Sequence, residues 1–181
     1  MPLFAATIAL SAFLLFLVQP VIAKQILPWF GGSAAVWTTC MVFFQVALLA
    51  GYAYSDFVIR RLAPRSQAWL HGTLVAASLA FLPITPSQAF KPENADNPVG
   101  RILLLLAATI GLPYLILSTT GPLVQAWFAR SFSHGRVYRL YALSNAASML
   151  ALVAYPPLIE PLATSGAQSL GWSAGYAVFA A

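Results

Sequence analysis

The chain contains 181 residues, of which 60% are hydrophobic and only 7% are charged, and its formal net charge at pH 7 is +5. A soluble domain carries roughly 25% charged residues, so this composition excludes an ordinary soluble protein and predicts an integral membrane protein whose main partner is the lipid bilayer. The positive charge does not indicate nucleic-acid binding, because the basic residues fall in short segments between apolar runs, where they orient membrane proteins.

Apolar runs of near-spanning length recur along the chain. A spanning helix needs about 20 mostly apolar residues, and five runs meet or approach this length: residues 3–23, 34–59, 67–84, 102–128 and 138–159. A sixth run covers residues 171–181 and is too short to span. We therefore predict an all-α polytopic bundle of about six transmembrane helices, one domain over residues 1–181 with an incomplete sixth helix, and we expect further chain beyond it.

The first run ends in a polar segment, residues 19–33, that contains Gln19, Pro20 and Lys24. Two interpretations of Lys24 stay open. Its ammonium group can extend outward to the membrane interface at little cost. Alternatively, it turns inward with Gln19 and forms a cationic, hydrogen-bonding patch at the outer mouth of the bundle.

The charges between the runs predict the orientation. The loops after the second and fourth runs hold six of the nine Lys and Arg residues: Arg60, Arg61, Arg65, Arg130, Arg136 and Arg139, with His134 beside them. The other loops hold Lys24, Lys91, Glu93, Asp96, Arg101 and Glu160. The positive-inside rule then places the arginine loops and the N-terminus in the cytoplasm, and we expect the bacterial inner membrane. Asp56 either forms a local i,i+4 ion pair with Arg60 or clamps the loop between the fourth and fifth runs.

Polar groups within the runs are candidates for a solute site, because such groups are costly in lipid and tend to face the bundle interior. Pro113 and Pro122 should kink or break the fourth run. The hydroxyl groups of residues 118–120 then either satisfy the broken backbone or face a substrate. The predicted substrate-binding set is Gln19, Lys24, Gln45, Tyr114, Ser118, Thr119, Gln125 and Asn145. The predicted structural or gating set is Asp56, Arg60, Arg61, Pro113 and Pro122.

The sequence contains no recognisable catalytic apparatus. Its four acidic residues have no catalytic pairing, His71 and His134 are isolated, and no phosphate-binding glycine motif follows a strand. Cys40 is the only cysteine, and packing is its expected role. We predict no catalytic residue, metal site or cofactor in this chain.

Several short motifs carry a resemblance to a known family. They are Gln19-Pro-x-x-Ala-Lys24, Leu27-Pro-x-Phe-Gly-Gly-Ser33, Val36-Trp-x-x-Cys40-x-x-Phe-Phe-Gln45, Gly121-Pro-Leu-x-Gln-x-Trp127-Phe and Tyr138-x-Leu-Tyr-Ala-Leu-Ser-Asn145-x-x-Ser148. With them the chain resembles bacterial membrane proteins that join a helical bundle of the major-facilitator type to a cytosolic spermidine-synthase-like domain. The resemblance implies half of a major-facilitator fold here. It also implies more helices and an aminopropyltransferase-like domain beyond Ala181, with no catalytic residue of that domain in this chain.

Three functional hypotheses follow from these observations. The first is a transporter-like membrane domain of a spermidine-synthase-like fusion protein, which binds or moves a small metabolite. The second is a non-transporting anchor for the cytosolic domain, and the third is part of an intact membrane-bound spermidine synthase. A polyamine cargo needs carboxylates along its path, whereas the runs place only Asp56 and Glu160 near their ends. A neutral or anionic solute therefore suits these residues better.

Overall fold

The computed structural model describes residues 2–92, 98–132 and 137–181, and these residues form helices and connecting turns without a β-strand. The prediction of an all-α fold is confirmed for this part of the chain. Glu93, Asp96, His134 and Arg136, which contributed to the predicted orientation, lie outside the described residues.

The helices lie close to the apolar runs of the sequence. They are α1 (Pro2–Ile26), α2 (Ala34–Arg61), α3 (Pro64–Ser78), α4 (Pro98–Leu106), α5 (Leu112–Ser131), α6 (Val137–Ala154), α7 (Glu160–Leu162) and α8 (Ser165–Ala180). Short 3-10 turns lie at Leu27–Phe30, Leu79–Phe81 and Gln88–Phe90. Two π-helical turns, Ala107–Gly111 and Tyr155–Ile159, join α4 to α5 and α6 to α7.

Four helical stretches within the described residues are long and apolar enough to cross a membrane. They are Pro2–Phe30, Ala34–Arg61, Pro98–Ser131 and Val137–Leu162. This supports an integral membrane protein with transmembrane helices. Helices α3 and α8 contain 15 and 16 residues, so each is shorter than any of these four stretches. A six-span bundle of the major-facilitator type therefore stays a prediction.

The last helix begins earlier than the sequence predicted. Helix α8 begins at Ser165 rather than near Gly171, and Thr164 is its N-cap. The Thr164 side chain accepts a hydrogen bond from the backbone N–H of Ala167 at 3.3 Å. Such a cap satisfies one of the free N–H groups at a helix start, so the polar residues before Gly171 belong to the helix.

The prolines are accommodated without ending the long helices. The π-helical turn ends at Gly111, two residues before Pro113, and α5 continues through Pro122. A second π-helical turn contains Pro156 and Pro157, which the sequence reading did not anticipate. Because proline lacks an N–H group, the local hydrogen-bond pattern must change around it. A π-turn makes this change while the chain stays helical. The predicted break of the fourth run is thus a local change of helix type.

The polar segment at the end of the first run begins inside helix α1. Helix α1 continues through Pro20 and ends at Ile26. The reversal toward α2 occurs at Gly31 and Gly32, whose φ angles are 86° and 63°. These left-handed conformations favour glycine, which has no Cβ to clash with the backbone. Ser33 then caps α2 by accepting a hydrogen bond from the backbone N–H of Val36.

Helix α1 lies at the centre of the bundle. It packs against α5, α6 and α8, while α2 packs mainly against α5. A helix that is apolar around its whole circumference is expected to be buried on many sides. Two hydrogen bonds attach α1 to α8: Trp172 Nε1 donates to Leu14 O at 2.8 Å, and Gln25 Nε2 donates to Ser169 Oγ at 2.8 Å.

Two glutamines hold the turns that precede α3 and α8. Gln67 and Gln168 each lie four residues after the N-cap of their helix. Gln67 Nε2 donates to Leu62 O at 2.8 Å, and Gln168 Nε2 donates to Ala163 O at 2.9 Å. In both places a buried amide bonds a carbonyl of the preceding turn, which satisfies a backbone acceptor that no helix bond uses.

Candidate solute-binding site

The candidate site is a cavity of about 200 Å³ to which all four candidate membrane-spanning stretches contribute. We call it the serine cavity. Its polar lining residues are Ser11 of α1, Tyr52 of α2, Ser118 of α5, and Ser144, Asn145 and Ser148 of α6. None of its lining residues is charged. The contributing segments lie near the middle of their helices, where a polar group in lipid most needs a partner.

Three of the four lining serine hydroxyl groups donate their hydrogen to a backbone carbonyl and so offer only oxygen lone pairs to this cavity. Ser11 Oγ donates to Ile8 O at 3.1 Å, Ser118 Oγ to Leu115 O at 2.7 Å, and Ser148 Oγ to Ser144 O at 2.9 Å. Each hydroxyl keeps acceptor lone pairs after its hydrogen is used. Asn145 adds a side-chain amide with both donors and an acceptor. The cavity can therefore hydrogen-bond a neutral solute that itself donates hydrogen bonds.

Close packing of α2 against α5 positions Ser118. Gly51 of α2 faces Ser118, and a Cβ atom built at Gly51 would overlap the Ser118 hydroxyl and lie 2.8 Å from its Cβ. One turn away, Ser55 Oγ donates to Thr119 O at 3.2 Å. The absence of a side chain at Gly51 thus allows the approach that places Ser118 at the cavity wall.

The structure brings only some of the predicted substrate-binding residues to this cavity. Ser118 and Asn145 line it, together with Pro122 from the predicted gating set. Thr119 and Gln125 are buried elsewhere on α5, and Thr119 Oγ1 donates to Ile116 O at 2.7 Å. Gln45 is exposed on the surface of α2 and is not among the cavity residues.

Gln19 and Tyr114 form a separate buried pair. Gln19 Nε2 donates to the Tyr114 hydroxyl at 3.2 Å, and the Tyr114 ring contacts Phe44, with centroids 5.1 Å apart. The Tyr114 side chain has no exposed surface. These two predicted residues therefore bond each other across α1 and α5 and do not line the serine cavity.

Lys24 has a partner that the sequence analysis did not consider. Its Nζ atom lies 2.9 Å from Glu160 Oε1, and the two side chains are 39% and 43% exposed. The Lys24 ammonium group therefore pairs with Glu160, whereas the Gln19 amide bonds Tyr114. The contact also places the last turn of α1 and the start of α7 at the same end of the bundle.

The predicted gating residues at the other end form two arrangements. Asp56 Oδ1 pairs with Arg60 Nε at 2.7 Å. Of the two interpretations of Asp56, this is the local i,i+4 ion pair rather than a clamp on the loop between the fourth and fifth runs. Arg61 is exposed at the end of α2. The contact between α3 and α5 is made instead by Gln67. Its Oε1 atom accepts from Trp127 Nε1 at 2.9 Å and from Arg130 Nη1 at 3.1 Å.

Sequence reasoning missed several of these residues. Ser11 carried a weak signal, because it follows Thr7 by one helical turn inside an otherwise apolar run. Gln67 carried none that distinguishes it from other glutamines. Within the described parts of the chain, no group of three or more His, Cys, Asp or Glu side chains is arranged to hold a metal ion.

Comparison of the chain with protein-family models, with curated proteins and with solved structures found no match. The resemblance to the fused membrane family therefore rests on the sequence motifs alone and stays a prediction.

Proposed function

We propose that the chain is a transporter-like membrane domain that binds, and moves, a small uncharged metabolite at the serine cavity. The observation that carries the proposal is the convergence of four candidate spanning stretches on one polar cavity without a charged lining residue. Ligand sites are concave and combine an apolar wall with a few placed polar groups, and the serine cavity has this composition.

The size of the cavity limits the solute. Its volume of about 200 Å³ exceeds the roughly 150 Å³ of an engineered cavity that binds benzene. It falls below the roughly 300–1,000 Å³ of sites for drug-sized ligands. A metabolite of fewer than about ten non-hydrogen atoms fits these limits.

The electrostatics favour an uncharged solute over a polyamine or an anion. An unpaired charge in a low-dielectric site needs an opposite charge nearby, and the lining residues supply none. Lys24, the cation that would attract an anion, lies at one end of α1 and is paired with Glu160. We therefore narrow the earlier choice between a neutral and an anionic solute to a neutral one.

The proposal includes a downstream domain. If the resemblance to the fused family holds, this chain is the membrane part of a bacterial inner-membrane protein, with its N-terminus in the cytoplasm. Further helices and a spermidine-synthase-like domain would follow Ala181. The gene sequence beyond codon 181 tests this: glycine-rich and acidic synthase motifs would support the fusion, and an early stop codon would contradict it.

A second candidate function is a membrane anchor that carries no solute. It is favoured by the hydrogen bonds of Ser118, Thr119 and Thr120, whose hydroxyl groups all donate to carbonyls of their own helix. In this reading the hydroxyls only satisfy backbone acceptors and help the helices to pack closely, as small polar residues do in membranes.

Thermal stabilisation of the purified chain by small uncharged solutes separates the two functions. A solute that binds the folded chain raises its melting temperature, by an amount that grows with the logarithm of its free concentration relative to its dissociation constant. For a carrier we expect at least one solute to do so, and Asn145→Ala to abolish the shift. Gln45→Ala is the matched control, because it also truncates an exposed amide but lies off the cavity. A panel of small neutral amides and alcohols that shifts the melting temperature of the unsubstituted chain and of Asn145→Ala equally would favour the anchor, because general solvent effects act on both alike.

A further inference from the structure

Three arginines lie around the turn where α2 ends and α3 begins. Arg61 is the last residue of α2, and Arg65 is the second residue of α3. Arg130 of α5 reaches the same turn. Its Nη1 atom donates to Gln67 Oε1 at 3.1 Å, and its Nη2 atom donates to Ile59 O at 3.5 Å. We call Arg61, Arg65 and Arg130 the turn arginines.

No carboxylate of the described residues neutralises the turn arginines. The described parts of the chain contain two acidic residues, and each is paired with another cation. Asp56 pairs with Arg60 at 2.7 Å, and Glu160 pairs with Lys24 at 2.9 Å. The groups that bond Arg130 are a neutral amide and a carbonyl oxygen. The positive charge at this turn therefore attracts an anion from outside the described chain.

An exposed trough begins at one of these arginines and follows α3. It has a volume of about 590 Å³ and is lined by Arg65, Ala68, Trp69, Gly72, Thr73 and Ala76, all of them exposed. Ala68, Gly72 and Ala76 recur at every fourth position and so lie on one face of the helix. Trp69 lies beside them with 77% of its surface exposed. The trough is thus shallow, mostly apolar and charged only at its Arg65 end.

The trough faces away from the bundle. Helix α3 packs against α2 and α5, which belong to two of the candidate spanning stretches, and its opposite face carries the trough. Tryptophan is enriched where a spanning protein crosses the membrane–water interface. With Trp69 at that level, the turn arginines lie among the lipid head groups and the trough continues toward the acyl chains.

We propose that this face binds one anionic phospholipid, with its phosphate at the turn arginines and an acyl chain in the trough along α3. Guanidinium groups match phosphate oxygens in geometry and charge, and basic sites beside spanning helices suit anionic head groups. A zwitterionic phospholipid also carries phosphate, but its own ammonium group cancels the charge. A soluble phosphate would use the arginines and leave the apolar trough uncovered. The trough shares no lining residue with the serine cavity, so this site is independent of the proposed solute.

Quenching of Trp69 fluorescence by brominated lipids tests the proposal. Bromine atoms on an acyl chain quench a tryptophan that the chain contacts. The chain has five tryptophans, so the contribution of Trp69 is the difference between the unsubstituted chain and Trp69→Phe. In phosphatidylcholine nanodiscs, dibromostearoyl phosphatidylglycerol is compared with dibromostearoyl phosphatidylcholine at equal mole fraction. We expect the anionic lipid to quench Trp69 more strongly.

Two arginine variants assign the preference to the turn. Arg65→Gln should lower the association of phosphatidylglycerol relative to phosphatidylcholine by about fivefold. Arg139→Gln is the matched control, because it removes the same charge near the start of α6 but does not line the trough. It should keep the preference. Both side chains are exposed and form no ion pair among the described residues, so neither change should unfold the chain.

Three results would overturn the proposal. The first is equal quenching of Trp69 by the two brominated lipids, and the second is a preference that survives in Arg65→Gln. The third is an equal loss in Arg65→Gln and Arg139→Gln, which would mean general attraction to a basic surface. Sodium phosphate and sodium chloride at equal ionic strength should relieve the quenching equally. Stronger relief by phosphate would assign the turn arginines to a soluble anion instead of a lipid.

Discussion

Replacing Gly51 with alanine is the most direct test of how α2 and α5 pack. The new Cβ would overlap the Ser118 hydroxyl and lie 2.8 Å from the Ser118 Cβ. Rotation about χ1 can move the hydroxyl, but only by breaking its 2.7 Å bond to Leu115 O. No rotation moves the Cβ atom of Ser118. The two helices must therefore separate, and this displaces one wall of the serine cavity.

The expected change in the free energy of unfolding combines three contributions. Overpacking of a close contact costs about 1–3 kcal/mol, and loss of the Ser118 hydrogen bond adds about 0.5–1.5 kcal/mol. Alanine in a helix is more stable than glycine by about 0.5–1 kcal/mol, which offsets part of this cost. We expect Gly51→Ala to lower the free energy of unfolding by about 1–3 kcal/mol.

The assay is unfolding of the chain in bicelles by steric trapping, with helicity followed by circular dichroism. Gly171→Ala in α8 is the matched control, because a Cβ there meets no heavy atom within 4 Å. It should be neutral or stabilising by up to about 1 kcal/mol. Ser118→Gly removes both overlapping atoms, so the double variant with Gly51→Ala should lose less stability than the sum of the single variants.

Equal stabilities of Gly51→Ala and Gly171→Ala would refute this reasoning, because the close approach of α2 to α5 would then not exist in the membrane. Strict additivity of Gly51→Ala and Ser118→Gly would refute it as well, since residues in contact are expected to couple.

Three further predictions concern the long-range polar contacts. Gln67→Leu should lower the free energy of unfolding by about 2–3 kcal/mol, because it removes a buried amide with several bonds, and chemical denaturation would measure the loss. Tyr114→Phe should lower the free energy of unfolding by about 1–2 kcal/mol, because it leaves the Gln19 amide without its partner. Adding Gln19→Leu should recover part of this stability, and a double variant without any recovery would contradict the pairing. Lys24→Gln should lower the free energy of unfolding by less than about 1 kcal/mol, because its ion pair with Glu160 is partly exposed. This loss should vanish at high salt. A larger loss of stability that does not depend on salt would show a different role for Lys24.

The candidate site could be predicted only in part. Ser118 and Asn145 were recognisable because they are polar residues inside apolar runs, and both line the serine cavity. The same rule also selected three residues that do not line the cavity. Gln19 and Thr119 are buried elsewhere, and Gln45 is exposed. Residue type and depth in a span do not say which way a side chain points around the helix axis.

This limit arises because the sequence does not fix how far each helix is rotated about its own axis. In an amphipathic helix, the apolar stripe identifies the buried face. The apolar residues of helix α1 lie all around its axis, so apart from the weak signal of Ser11 its sequence does not distinguish the face toward α8 from the face toward the serine cavity. Trp172 and Tyr155, which contact Leu14 and Pro20 of α1, could not have been assigned to it from the sequence.

The sequence by itself determined the properties that depend on composition and on near neighbours. Length and hydropathy gave a helical membrane protein with four of its long helices close to their predicted bounds, and i,i+4 spacing allowed the pair of Asp56 with Arg60. Only the tertiary structure decided the contacts between distant residues: Lys24 with Glu160, Gln19 with Tyr114, and Gln67 with Trp127. The physical reason is that these contacts depend on helix rotation and on the closeness of helix packing, and both are set by the whole bundle at once.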